Sequence, residues 1–120
     1  MGYQLALEAA GWKVHAFEMF GDCSGTWLAV VSKGTGPREV IRDTYGSCGL
    51  CDTFTAEFED LDDDSDWEFQ RRLKAFGERY TALSFAHELM PLYLEMEDVG
   101  LDCDEEERLL FLTVNREGAA

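Results

Sequence analysis

Up to residue 45 the chain alternates short runs of aromatic and β-branched residues with glycine-rich breaks, and beyond residue 65 its apolar residues recur at helical spacing. The opening stretch 3–10 is made of good helix formers, and Gly11 follows as a natural stop because glycine tolerates the left-handed cap. Segments 12–20, 26–33 and 38–45 then read as strands, separated by turn residues at Gly21–Gly25 and Gly34–Pro37. Short turns between consecutive strands predict an antiparallel meander. With the 34–37 turn setting the register, position 26 falls opposite 45.

Past residue 53 the pattern changes. Phe54 and Phe58 sit in a short mixed segment that ends in an acidic run. Ser65 and Glu68 fit a capping box that opens a helix over 66–80, with Phe69, Leu73, Phe76 and Tyr80 on one face. A second helix is predicted over 82–97. Pro91 should kink or split it, since proline lacks the backbone donor and clashes with the preceding turn. A third helix is predicted over 104–115, capped by Asp102 or Asp104, with Glu105, Glu106 and Glu107 at its positive end. The expectation is a single α+β domain over residues 1–120: a three-stranded antiparallel meander with three to four helices, mostly C-terminal.

Four cysteines add chemistry to this outline. The predicted meander brings Cys23, in the first turn, to the same sheet end as Cys48 and Cys51. Cys48-Gly-Leu-Cys51 has the spacing of a zinc knuckle, and Gly46 and Gly49 permit the tight backbone it needs. Zinc takes four tetrahedral ligands, chiefly thiolate and imidazole. Cys103, before the last helix, is the expected fourth ligand; Asp22, Asp52 and His87 are alternatives. His15 lies mid-strand, about 17 Å from that end at the usual strand rise, and is a poor ligand. The expected cofactor is Zn²⁺ in a structural role, forming a knuckle at one end of the sheet. Ordinary buried cysteines and a redox dithiol are the other readings. The redox motif normally opens a helix after a parallel strand, which the glycines and Thr53-Phe-Thr55 do not suit.

Charge narrows the range of partners. The formal net charge is -15, from 25 acids against 10 bases. That balance opposes binding to nucleic acid or to an anionic membrane and favours a basic partner or cations. No base occurs between Arg42 and Arg71, an interval holding Glu57, Glu59, Asp60, Asp62, Asp63, Asp64 and Asp66 beside Trp67. A second base-free interval runs from Arg79 to Arg108. Dense carboxylates on a folded surface can imitate phosphates and occupy a basic groove; a solvated acidic face is the plainer reading. The alternating Asp60, Asp62 and Asp64 fit no EF-hand register, because the required Gly and Glu are missing downstream. Trp67 reads either as an exposed interface anchor or as a lid closing the helix onto the sheet. His87, with Leu83, Met90 and Leu94, reads as part of a buried helix face.

No nucleophile elbow, phosphate-cradling glycine loop, membrane-length apolar run or secretory signal is present in the sequence. A bacterial host cytosol is the expected compartment, and no enzymatic activity is expected.

The stretch Tyr45-Gly-Ser-Cys-Gly-Leu-Cys-Asp52, with Gly21-Asp-Cys-Ser-Gly-Thr-Trp27 upstream, resembles small phage and prophage proteins that carry a Gly-Ser-Cys-x-x-Cys-Asp core after a β-hairpin. In size, charge and cysteine use the chain is also similar to some zinc-containing anti-CRISPR proteins. The resemblance implies that Cys48 and Cys51 ligate zinc. It also implies a counter-defence role: inhibition of a host CRISPR or restriction protein through the acidic surface. A thiol oxidoreductase using Cys48 and Cys51, and a phage regulatory or structural protein, are the alternatives.

Overall fold

The computed structural model describes residues 2–21, 25–46, 67–98, 100 and 102–117. Among them are helix α1 (Tyr3–Ala9), strands β1 (Lys13–Gly21), β2 (Gly25–Ser32) and β3 (Glu39–Tyr45), and helices α2 (Trp67–Gly77), α3 (Phe85–Asp98) and α4 (Cys103–Glu117). The strands form the expected antiparallel meander in the order β1-β2-β3. The fold is therefore α+β, with most of its described helices C-terminal.

β2 is the centre of the structure. From Trp27 to Ser32 every residue is buried, so both faces of the strand are covered. Trp27, Ala29 and Val31 point to one face, against α1 and α2 through Tyr3, Leu7, Leu73 and Phe76. Leu28 and Val30 point to the other, against α3 and α4 through Phe85, Leu89, Leu92 and Leu112. The Trp27 ring lies 5.1 Å from that of Tyr3, 5.4 Å from Phe17 and 5.4 Å from Tyr80, an aromatic cluster around one indole.

Local signals explain most element ends. Gly11 has φ +99°, the N–H of Trp12 donates to the Leu7 carbonyl, and that of Gly11 donates to Glu8, the paired bonds of a Schellman cap. β1 shifts register between Val14 and Ala16, so that Val14 joins the α1–α2 face while Ala16 joins the α3–α4 face. Without such a bulge, strand alternation would put both on one face. His15, at the bulge, is 2.7 Å from the Ser32 hydroxyl through Nε2. Burial and the nearby Arg38 and Lys13 charges lower its pKa.

Four sequence expectations need correction. Gly25 pairs with Tyr45 and Thr26 with Thr44, one residue away from the expected register. The turn is asymmetric: Gly34 adopts φ +59° and the Gly36 N–H donates to the Lys33 carbonyl. Pro37 has no N–H to contribute to a ladder. The expected 66–80 helix ends at Gly77, which is buried against α1; a Cβ there would overlap the Ala6 carbonyl. The expected 82–97 helix starts at Phe85, because Leu83 is spent on a β-bridge to Val40, with both backbone bonds at 2.7 Å. Ser84 caps the helix by accepting from the His87 N–H. Finally, of the kink or split expected at Pro91 the split does not occur: α3 continues through it. The carbonyl that loses its donor there is that of His87, an exposed residue, where water can replace the bond.

Tyr80 sits just beyond α2 and donates from its hydroxyl to Asp43 Oδ2 at 2.6 Å, tying the helix layer to β3. Burial, then the hydrogen bond and charge of Asp43, raises the Tyr80 pKa far above its ordinary value of 10.0. The folded state thus holds the phenolic proton more tightly than the unfolded state does. This contribution to stability is complete below pH 10 and is lost as pH rises above it. Tyr80→Phe should cost about 1 kcal/mol at neutral pH, from one part-buried bond to a charged group. It should also flatten the loss of stability above pH 10. Urea unfolding of both forms across pH 7–11 measures the two effects.

Candidate functional site

The second face of the sheet carries a buried carboxylate and two concavities. α4 crosses it, with Phe111 edge-on to Phe20 at 5.8 Å and Leu112 buried beneath. Asp102 starts the helix with a complete capping box: its Oδ1 accepts from the Glu105 N–H at 2.8 Å, and its own N–H donates to Glu105 Oε1 at 3.2 Å. The expected Asp102 cap is therefore present. Asp104, Glu106 and Glu107 are left exposed at the same end, where the helix dipole favours negative charge.

Two concavities flank α4. On the β1 side an open groove of about 590 Å³ runs past Phe17, Phe20, Phe111, Leu110 and Val114, with Glu18 and Glu107 on its rim. Leu110 is 65% and Val114 59% exposed, so the groove offers apolar surface framed by acids.

On the α3 side a tighter cleft of about 180 Å³ lies between Leu28, Leu92 and Leu112, with Glu88 within it and Arg42, Glu95, Glu105 and Arg108 around it. Strand register explains Arg42: it pairs with Leu28 and so faces α3. The Glu88 side chain is only 3% exposed. Its Oε1 has no hydrogen-bond partner; the nearest cation is Arg42 Nε at 3.7 Å, beyond hydrogen-bond length. Its Oε2 lies 3.8 Å from His87 Nδ1. Among the described residues Trp27 Nε1, in the aromatic core, is likewise buried without a hydrogen-bond partner. A buried carboxylate oxygen that accepts no hydrogen bond is costly unless water or a cation supplies one.

The sequence-predicted site residues fare unevenly. Cys23, Cys48 and Cys51, and Glu57, Glu59, Asp60, Asp62, Asp63, Asp64 and Asp66, lie outside the described residues, as do the alternative ligands Asp22 and Asp52. The sheet does bring the chain to one common end at Gly21, Gly25 and Tyr45, on either side of the cysteine-bearing stretches. Cys103 is exposed and opens α4 rather than preceding it. Trp67 is 69% exposed, with the Arg71 guanidinium 5.5 Å from its ring, which favours the anchor reading over the lid. His87 is not a core residue: its side chain is 61% exposed, and Met90 and Leu94 are exposed with it. The buried stripe of α3 is instead Phe85, Glu88, Leu89 and Leu92. Sequence reading missed Glu88 altogether. Its signal was its place within that apolar i, i+3, i+4, i+7 stripe.

Among the described residues no group of three or more His, Cys, Asp or Glu side chains is placed to hold a metal ion. None of their helices is long and apolar enough to cross a membrane. No family model, curated protein or solved structure matches the chain.

If Glu88 is kept for function rather than for the fold, removing its charge should be harmless or beneficial to stability. Replacing a buried ion pair by apolar groups is often neutral or stabilising, and removing one partner is costly because it strands a buried charge; here the partner left behind, Arg42, is half exposed and stays hydrated. Glu88→Met is expected to raise unfolding free energy by about 1 kcal/mol in urea titrations at pH 7. A loss of more than about 2 kcal/mol would assign Glu88 a structural role instead.

Proposed function

We propose that this chain is a non-enzymatic interaction protein that docks through its acidic α3–α4 face onto a basic, nucleic-acid-binding surface of another protein. The observation that carries the reading is the pairing of exposed apolar groove and exposed carboxylates on one helix. Leu110 and Val114 can bury against a partner, while Asp104, Glu106 and Glu107 meet its basic groups. The net charge of -15 keeps the chain off nucleic acid itself and steers it towards the cationic surface that nucleic acid would occupy. The resemblance to phage proteins points to a host CRISPR or restriction component in the bacterial cytosol as the target. The channel of a guide-dependent effector is positively charged, which suits an acidic occupant.

The test is capture of partners from nuclease-treated bacterial lysate on the immobilised protein. Nucleic-acid-binding proteins should be retained at 50 mM salt and released by added duplex DNA. Their affinity should fall at least tenfold between 50 and 200 mM salt, because the attraction is screened. Neutralising Asp104, Glu106 and Glu107 together, as Asn and Gln, should weaken capture tenfold or more while leaving the Asp102–Glu105 cap intact. Retention indifferent to both salt and these substitutions would overturn the reading.

Structural zinc belongs to the same proposal. Cys23, Cys48, Cys51 and Cys103 would hold it, and it would fix the sheet end left by Gly21 and Tyr45. Thiolate ligands and a closed shell suit a structural ion. Protein purified without added metal should carry one zinc per chain by mass spectrometry. Cys48→Ser should lose both the ion and several degrees of Tm. A metal-free, equally stable protein with four titratable thiols would exclude it.

A further inference from the structure

We propose that the cleft between β3, α3 and α4 is a socket for one arginine side chain of the partner, with Glu88 receiving its guanidinium. The inference rests on the docking reading above and gives that surface an anchor point. Glu88 is nearly fully buried and forms an ion pair with Arg42 Nε at 3.7 Å, while its Oε1 accepts no hydrogen bond. The cleft volume of about 180 Å³ equals the liquid volume of about six waters, more than a bridging role requires. Its walls are the apolar side chains of Leu28, Leu92 and Leu112, suited to the methylene stem and flat faces of an arginine.

Charge selects a monocation. Glu88, Glu95 and Glu105 against Arg42 and Arg108 leave one negative charge around the cleft. The carboxylates do not converge as a metal cage would require, since no metal-holding group occurs among the described residues. A guanidinium needs no such convergence. It is planar, weakly hydrated and forms paired bonds to a single carboxylate, so it gives up less hydration than an ammonium on entering an apolar-walled site. Arg42 then flanks the entering side chain rather than neutralising Glu88 alone.

The experiment follows backbone amide NMR shifts at 150 mM salt while the full chain is titrated with N-acetyl-arginine methylamide. Saturable shifts centred on Leu28, Leu89, Leu92 and Leu112 are expected. Glu88→Gln, near-isosteric and checked for folding by circular dichroism, should weaken binding at least tenfold. The citrulline analogue, neutral but of the same shape, should give no saturable shifts with the unaltered protein, and the lysine analogue should bind several-fold more weakly. Absence of saturable binding, equal binding to Glu88→Gln, or shifts spread over the acidic first turn of α4 would each overturn the socket. Salt-sensitive capture of basic partners that persists in Glu88→Gln would overturn the socket while leaving the docking surface standing. Loss of that capture in the same variant would support both.

Discussion

The structure depends on a strand buried on both faces. A sheet of three short strands has little surface of its own, and β2 has no solvated side once Trp27 to Ser32 are covered. Each face must then be closed by helices, because an apolar sheet face left in water would forfeit its burial free energy. One face is closed by α1 and α2 around Trp27, the other by α3 and α4 around Leu28 and Val30. Details elsewhere follow from this requirement. Gly77 is small because α2 must lie directly on the Ala6 backbone. The bulge at His15 redirects β1 so that both faces receive apolar residues. Leu83 bridges to Val40, adding a bonded residue to the outer edge of β3 before α3 turns back over the sheet.

Much of this was legible in the sequence, and the parts that were not have physical reasons. The meander followed from strand composition and short glycine turns. The α1 stop at Gly11 and the Asp102 cap followed from residue chemistry that acts within one turn of helix. The register did not, because it turns on whether the loop closes symmetrically. Gly34 in a left-handed conformation and Pro37 without an N–H move the pairing by one residue, and that is enough to decide which face each β3 side chain meets. The run Trp27-Leu-Ala-Val-Val31 is continuous rather than alternating, the mark of a strand covered on both sides. It could have announced two helix layers.

α3 shows why the candidate site was harder to read. Its apolar residues surround the helix: Leu89 and Leu92 are buried, while Met90, Tyr93, Leu94 and Met96 are exposed. Periodicity chooses poorly among faces when exposed Met90, Tyr93, Leu94 and Met96 compete with the buried stripe. The choice was made by tertiary contacts, through the Leu83 bridge and the Ser84 cap that fix the rotation of the helix as it leaves the sheet. That rotation turns His87 to solvent and Glu88 inward. The sequence put His87 on the buried face, and its glutamate neighbour is buried instead.

An acidic chain that buries one of its carboxylates in an apolar cleft compounds two costs, self-repulsion among surface charges and desolvation of Glu88. Against them the fold gains the Arg42–Glu88 ion pair and favourable charge at the α4 N-terminus. On the docking proposal, both costs would diminish on contact with a cationic partner, which would neutralise surface carboxylates and supply a donor to Glu88 Oε1. On that proposal, the partner-bound state is where these groups would become favourable. A sequence that retains them in the free protein has the energetic form expected of a surface shaped for binding, in which stability is given up in one state so that affinity appears in the other.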